Sequence, residues 1–252
     1  MLYGFYLSAT GVLASTYRQD VIANNIANSE TIGFKRDLAL FQERRTAAQE
    51  AGGSGAGTDP SLENLGGGML AAPTLVDDSQ GDLEPTGNPM DVAIQGKGYF
   101  AVSAGDQLRL TRNGQFVIDH AGRLCLMRDG GPTVLDAHQS PIQLDPAQPA
   151  MIAADGAISQ GGKVVAHLGV FDVADASMLK KEGNTLLSVQ GGTATASSTT
   201  LRTESLERSN VDSATELTLL MDTQRQLEAN ANMIKCQDET LSKLVSDVGK
   251  IS

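Results

Sequence analysis

The 252-residue chain has no tryptophan, only 4% aromatic residues, two cysteines and three histidines. Each shortage excludes something. Cys125 and Cys236 are far apart and outside any CxxC context, so neither a disulfide framework nor a zinc site is readable; two buried thiols are expected. His120, His138 and His167 are not at metal-ligand spacing, and two of them adjoin turn signals, which fits solvated or hydrogen-bonded structural roles. Few aromatics leave little with which to line a concave ligand site. Cations are also scarce: 19 Lys and Arg against 30 Asp and Glu give a net charge of −11. That balance argues against a nucleic-acid or anionic-membrane partner and is explained by solubility. No run of about 20 apolar residues is present, so no transmembrane helix is expected. The start, MLYGFYLSATGVLASTYRQ, has neither a basic leading region nor a small-residue cleavage site, and is not expected to be a secretory signal.

Catalytic patterns are missing as well. There is no GxGxxG after a strand, no GxxxxGK[ST] and no GxSxG. ADGAIS, from Ala154, opens like a calcium loop but lacks the later carboxylates, so a β-turn is expected. Asp77-Asp78 and Asp82-Glu84 form an acidic patch expected to be solvated. No nucleophile–base pair stands out, and neither a cofactor nor a metal nor an enzymatic activity is expected.

Residues that are abundant point to architecture instead. Positions 2, 5, 9, 12, 16, 19, 23 and 26 follow a 3.5-residue rhythm, and six of these eight are apolar. A second series runs 217, 220, 224, 227, 231, 234, 238, 241, 245 and 248, with eight of ten apolar. Both read as coiled-coil seams. Ser213-x-x-Glu216 is a capping box that starts the second helix. Between the helices lie a Gly-rich, polar stretch (46–85), read as a linker continuing as turns, and a region of short strands. MDVAIQGKGYFAV (90–102) is strand-like, Asn113-Gly114 within LRLTRNGQFVI is a hairpin signal, and Asp119 to Gly122 is a turn. GGTATASSTTLRTESLE (191–207) reads as an exposed Ser/Thr-rich strand or strand pair, and Asp175 to Lys181 as one short helical turn. The reading is an α+β chain: N-terminal helix and loop (1–45), linker (46–85), central all-β domain (86–207) and C-terminal helix (208–252). The helices are expected to order as a coiled-coil layer on assembly.

Three stretches together resemble one family. QDVIANNIANSETIGFKRD resembles the N-terminal signature of flagellar rod and hook proteins. NPMDVAIQGKGYFAV followed by LTRNGQFVIDHAGRL resembles their β-domain, and ERSNVDSATELTLLMDTQRQLEANANMI resembles their C-terminal helix. Length and a single modest β-domain fit the proximal or distal rod type. The resemblance implies a non-enzymatic structural subunit that self-assembles through its terminal helices and transmits torque from motor to hook. Its partners would be copies of itself, other rod and hook subunits and the flagellar type III export apparatus. It implies a place in the periplasmic basal body, reached without a cleaved signal peptide, which replaces the cytosolic reading that composition alone gives. A hook-like protein, or an extracytoplasmic binding module or adhesin with helical stalks, are the alternatives.

Asn24, Asn25 and Asn28 are poor helix-interior residues. In an assembled helical layer they are expected to bond neighbouring subunits and fix register. Gly33 is expected to turn the chain out of the helix, with Lys35 and Arg36 paired to acidic neighbours. The expected assembly interface comprises Asn24, Asn25, Asn28, Gly33 and Phe34 at the front. At the back it comprises Asn210, Leu217, Leu220, Leu227, Ile234 and Leu241. Asp91, Gly96, Gly98, Arg112 and Gly114 are expected to shape the β-domain.

Overall fold

The computed structural model describes residues 2–44, 68–105, 107–126, 131–183, 185–191, 193–197 and 199–248. Most of the Gly-rich stretch expected as a linker lies outside them. The chain forms two compact units. A helical unit gathers 1–26, 38–74 and 213–252, and a β unit gathers 27–37 and 75–212.

In the helical unit, α1 spans Leu2–Ala27 and α2 spans Ser213–Val248. A Cβ built on Gly4 would lie 2.8 Å from Gln237 Nε2, and one on Gly11 would lie 2.8 Å from Asn230 Nδ2. Seven residues up on one helix match seven down on the other, so the helices run antiparallel with heptad spacing. The seam of α1 is not the expected series. Covered positions are 8, 11, 15, 22 and 25, flanked by 14 and 21, one residue before the apolar rhythm. Phe5 of that rhythm is exposed. Small residues decide the matter: Ser8, Gly11 and Ser15 let the helix backbones approach, and larger apolar side chains on that face would hold them apart. On α2 the expected row Leu220, Leu227, Ile234 and Leu241 is half-buried, but its companion row is Glu216, Thr223, Asn230 and Gln237, while 217, 224, 238 and 245 of the expected companion row are exposed and only Ala231 is half-buried. Strand Asp37–Glu43 pairs with strand Met69–Val76, so the part of 46–85 expected as turns contains a strand. The Tyr17 ring meets Phe41 edge-on at 6.1 Å, and the Tyr17 hydroxyl donates to the Ala72 carbonyl.

The β unit is organised by a nine-stranded sheet. Its main path runs Leu179–Lys181, Leu187–Val189, Gln107–Thr111, Tyr99–Ala104, Thr133–Val134, Leu124–Leu126 and Phe116–Ile118. Strand Tyr99–Ala104 lies at its centre and is covered on both faces. Phe100 and Val102 join a core with Val92, Ile94, Phe116 and Leu124, while Tyr99 and Ala101 join a second core with Leu110, Leu135, Phe171 and Leu187. Burial on both sides explains a strand without polar alternation. The short helical turn expected near 175–181 is a 3-10 turn at Ala176–Met178, capped by the Asp175 carboxylate.

Asn113-Gly114 does not turn a hairpin. The strands flanking it pair elsewhere: Gln107–Thr111 with Tyr99–Ala104, and Phe116–Ile118 with Leu124–Leu126 across the expected Asp119–Gly122 turn. Gly114 is there for proximity. A Cβ on it would sit 1.6 Å from the Val92 carbonyl oxygen, and the Val92 amide donates to the Gly114 carbonyl at 3.0 Å. Asp91 is also inside, accepting from Thr86 Oγ1 and Asn88 Nδ2. Two other expectations change. Cys125 is buried but Cys236 is exposed, and in the segment 191–207 Leu201 and Ser205–Glu207 are buried, through pairing with Val92–Ile94 and Leu83–Pro85.

Gly114→Ala is expected to destabilise the β unit by about 3 kcal/mol, because backbone must move. Gly87→Ala, at φ +73 with open space around it, is expected to cost about 1 kcal/mol for the left-handed backbone alone. Denaturant midpoints of the two variants check the ordering.

Candidate assembly interface and the buried ion cluster

The expected interface residues divide sharply. α1 ends at Ala27 and the chain turns over 28–33. Asn24 is exposed, Asn25 is 1% exposed within the helical unit, and Asn28 is buried in the β unit, where it accepts at Oδ1 from the Thr31 hydroxyl. Gly33 has φ +68, and a Cβ there would meet the Asn113 backbone nitrogen at 2.3 Å. This position requires glycine for both conformation and space. Phe34 is buried, with the Lys181 ammonium 3.6 Å above its ring; Lys181 also pairs with Asp37 at 2.8 Å. Asn210 accepts from the Arg36 amide at 2.7 Å and donates to the Asp77 and Ser79 carbonyls. On α2, Leu217 is exposed and Leu220, Leu227, Ile234 and Leu241 are half-buried. Asn28, Gly33, Phe34 and Asn210 are therefore engaged inside the β unit, whereas Asn24 and Leu217 face outward.

Gly33 and Asn210 border a buried ion cluster in which Lys35 has the acidic neighbour expected of it. Glu207, the last residue of strand Ser205–Glu207, is 0% exposed. Its Oε1 accepts from Lys35 Nζ at 2.7 Å and from the Gly81 amide at 3.0 Å; its Oε2 accepts from Arg112 Nη1 at 3.0 Å. Its backbone carbonyl accepts the Gly33 amide at 2.8 Å. Lys35 is 2% exposed and Arg112 1%. Lys35 also donates to the Ser79 carbonyl at 2.7 Å. The Arg112 guanidinium lies 5.0 Å from the Tyr99 ring centroid, and the Tyr99 hydroxyl donates to Asp78 Oδ1. Asp78 approaches Arg112 at 3.9 Å, so the acidic stretch expected to be solvated contributes to this network.

Burial pushes the Lys35 ammonium below its ordinary value, and the adjacent Glu207 carboxylate opposes that push. Burial, then the hydrogen bond to Asp78, raises the Tyr99 phenol well above its ordinary 10.0. Two cations and three hydrogen bonds compensate the fully buried Glu207 carboxylate, while Arg112 Nε is buried without a hydrogen-bond partner, so charge compensation rather than complete hydrogen bonding holds the cluster. The arrangement holds no nucleophile beside a base. Among the described residues, no group of His, Cys, Asp and Glu could hold a metal ion, and no helix is long and apolar enough to cross a membrane.

Three family models match the chain. A flagella basal body rod protein model covers 5–35, a flagellar hook protein FlgE/F/G D1 domain model covers 93–166, and a flagellar basal body rod FlgEFG protein C-terminal model covers 202–247. Lys35, Arg112 and Glu207 fall one in each. The chain is 32% identical to the flagellar basal-body rod protein FlgG of Bacillus subtilis, over 98% of this chain and 99% of that protein. It is 34% identical to the rod protein FlgF of Caulobacter vibrioides, over 92% of each. The chain belongs to the flagellar basal-body rod protein family. It is a structural subunit of the rod of the FlgF/FlgG branch, part of the flagellar basal body, and the family's role places it beside other rod and hook subunits. Near-full-length likeness to rod proteins does not favour the hook-like or adhesin alternatives.

Tyr99 carries a pH signature. A phenol whose folded pKa exceeds its unfolded value contributes stability below pH 10.0 that is lost as pH rises beyond it. The difference in phenolate absorbance between the native chain and Tyr99→Phe is expected to stay at zero through pH 10 and to appear only with unfolding. A difference growing at pH 10 in folded protein contradicts the buried environment.

Proposed function

We propose that this rod subunit self-assembles through its helical unit, is delivered by the flagellar type III export apparatus to the periplasmic part of the basal body, and transmits torque from motor to hook as a non-enzymatic element. The observation that carries the assembly reading is where apolar surface is left uncovered. Of sixteen large hydrophobic residues exposed among the described residues, thirteen belong to the helical unit, including Phe5, Leu13, Leu217, Met221, Met233 and Val245. Apolar side chains concentrated in this way mark association surfaces. The β unit exposes only Met151, Val164 and Val165 among its described residues.

Asn24 and Leu217 remain the members of the expected interface best placed to touch a neighbouring copy. Leu220, Leu227, Ile234 and Leu241 are proposed to shape the helix pair that presents the surface, with Asn25 holding its register. Asn28, Gly33, Phe34 and Asn210 support assembly indirectly, by fixing the segment that leaves α1.

Leu13 and Val245 are 70% and 72% exposed. Leu13→Ser and Val245→Ser are expected to leave the denaturant midpoint within about 0.5 kcal/mol of the native chain while reducing rod incorporation and motility. Full motility with both substitutions combined contradicts assembly through this unit.

A further inference from the structure

We infer that Glu207 makes docking of the 27–37 segment conditional on the chain's C-terminal third. The segment carries Lys35 into a site where, among the described residues, Glu207 and the Ser79 carbonyl are its hydrogen-bond acceptors. A lysine in that interior without its carboxylate is an uncompensated buried charge beside a second cation, Arg112. Two backbone donors obey the same dependence, although the Arg36 carbonyl takes the Asp77 amide at 2.9 Å. The Gly33 amide donates to the Glu207 carbonyl, and the Arg36 amide to the Asn210 side chain. Nothing within residues 27–37 supplies these acceptors, and residues 207 and 210 lie more than 170 positions later (207 − 35 = 172).

Arg112 is placed differently. It retains Asp78 at 3.9 Å and the Tyr99 ring, so the sheet that bears it has a partial substitute for Glu207. The dependence is therefore selective. Strands 99–104 and 107–111 can form while the 27–37 segment is still undocked. Any process that presents the chain N-terminus first leaves this segment open until residues 205–207 pair with 83–85. The fold thus contains a latch that keeps the 27–37 segment accessible until the chain has arrived as far as Asn210. It adds to the rod reading and does not rest on it.

Amide hydrogen exchange on the full chain tests the latch. In Glu207→Gln, which keeps shape but removes charge, the Gly33, Phe34 and Arg36 amides are expected to exchange about 100-fold faster. The Ala101 and Leu135 amides, bonded within the β unit, are expected to be unchanged. Unchanged protection at Gly33 to Arg36 overturns the inference, as does loss of protection at both sets. Pulse labelling during refolding of the unsubstituted chain needs no variant. Gly33 and Arg36 are expected to gain protection together with Leu206, after Ala101. Protection at Gly33 and Arg36 before Leu206 also overturns it.

Discussion

One carboxylate at the end of one short strand holds the β unit's outlying pieces together. Glu207 accepts Lys35, Arg112 and the Gly81 amide while its own carbonyl takes the Gly33 amide. These groups come from three places in the sequence besides that of Glu207 itself. An isolated charge of this kind is untenable in an interior, and a pair is tolerated only with good geometry and every lone pair occupied. Glu207 approaches that condition through three donors, two of them cationic. The result favours specificity over raw stability, since apolar side chains of the same volume could fill the space. What they could not do is demand these three segments and no others.

The remaining architecture follows from that demand. Gly33 must approach the Asn113 backbone so that Lys35 can reach inward, and Gly114 must approach Val92 so that strand Gln107–Thr111 ends with Arg112 at the cluster. Asn210 closes the outer side by bonding Arg36, Asp77 and Ser79. Phe34 then lies under Lys181. Lys35, Arg112 and Glu207 lie one in each of the three regions that the family models match, so in this chain each region brings one charge to a shared site.

Much of this was legible in the residues, and the failures have physical causes. Two terminal helices, a central strand-rich region and the Asp119–Gly122 turn follow from periodicity and composition. The α1 seam was misplaced by one residue because periodicity equates apolar with inside. A close antiparallel pair instead selects small residues such as Ser8, Gly11 and Ser15. Asn113-Gly114 misled because its sequence suits a hairpin, whereas glycine serves a backbone contact that only the tertiary fold creates. Of the three clustered asparagines, Asn25 and Asn28 are buried and Asn24 is not; local sequence does not distinguish them. Glu207 was missed because the stretch 191–207 that ends on it reads as an exposed, Ser/Thr-rich strand or strand pair. The acidic neighbour expected for Lys35 is present, but nothing in the local sequence identifies it as Glu207, 172 positions away.

The central claim is that Lys35 and Glu207 stabilise each other inside the β unit. A double-mutant cycle with Lys35→Met, Glu207→Gln and the double variant, read by equilibrium denaturation, measures that directly. The account predicts a coupling of about 2 kcal/mol or more, with the double variant more stable than Glu207→Gln alone. A coupling within about 0.5 kcal/mol of zero would contradict it, and would mean that the other contacts of residues 27–37 hold that segment in the β unit without the ion pair.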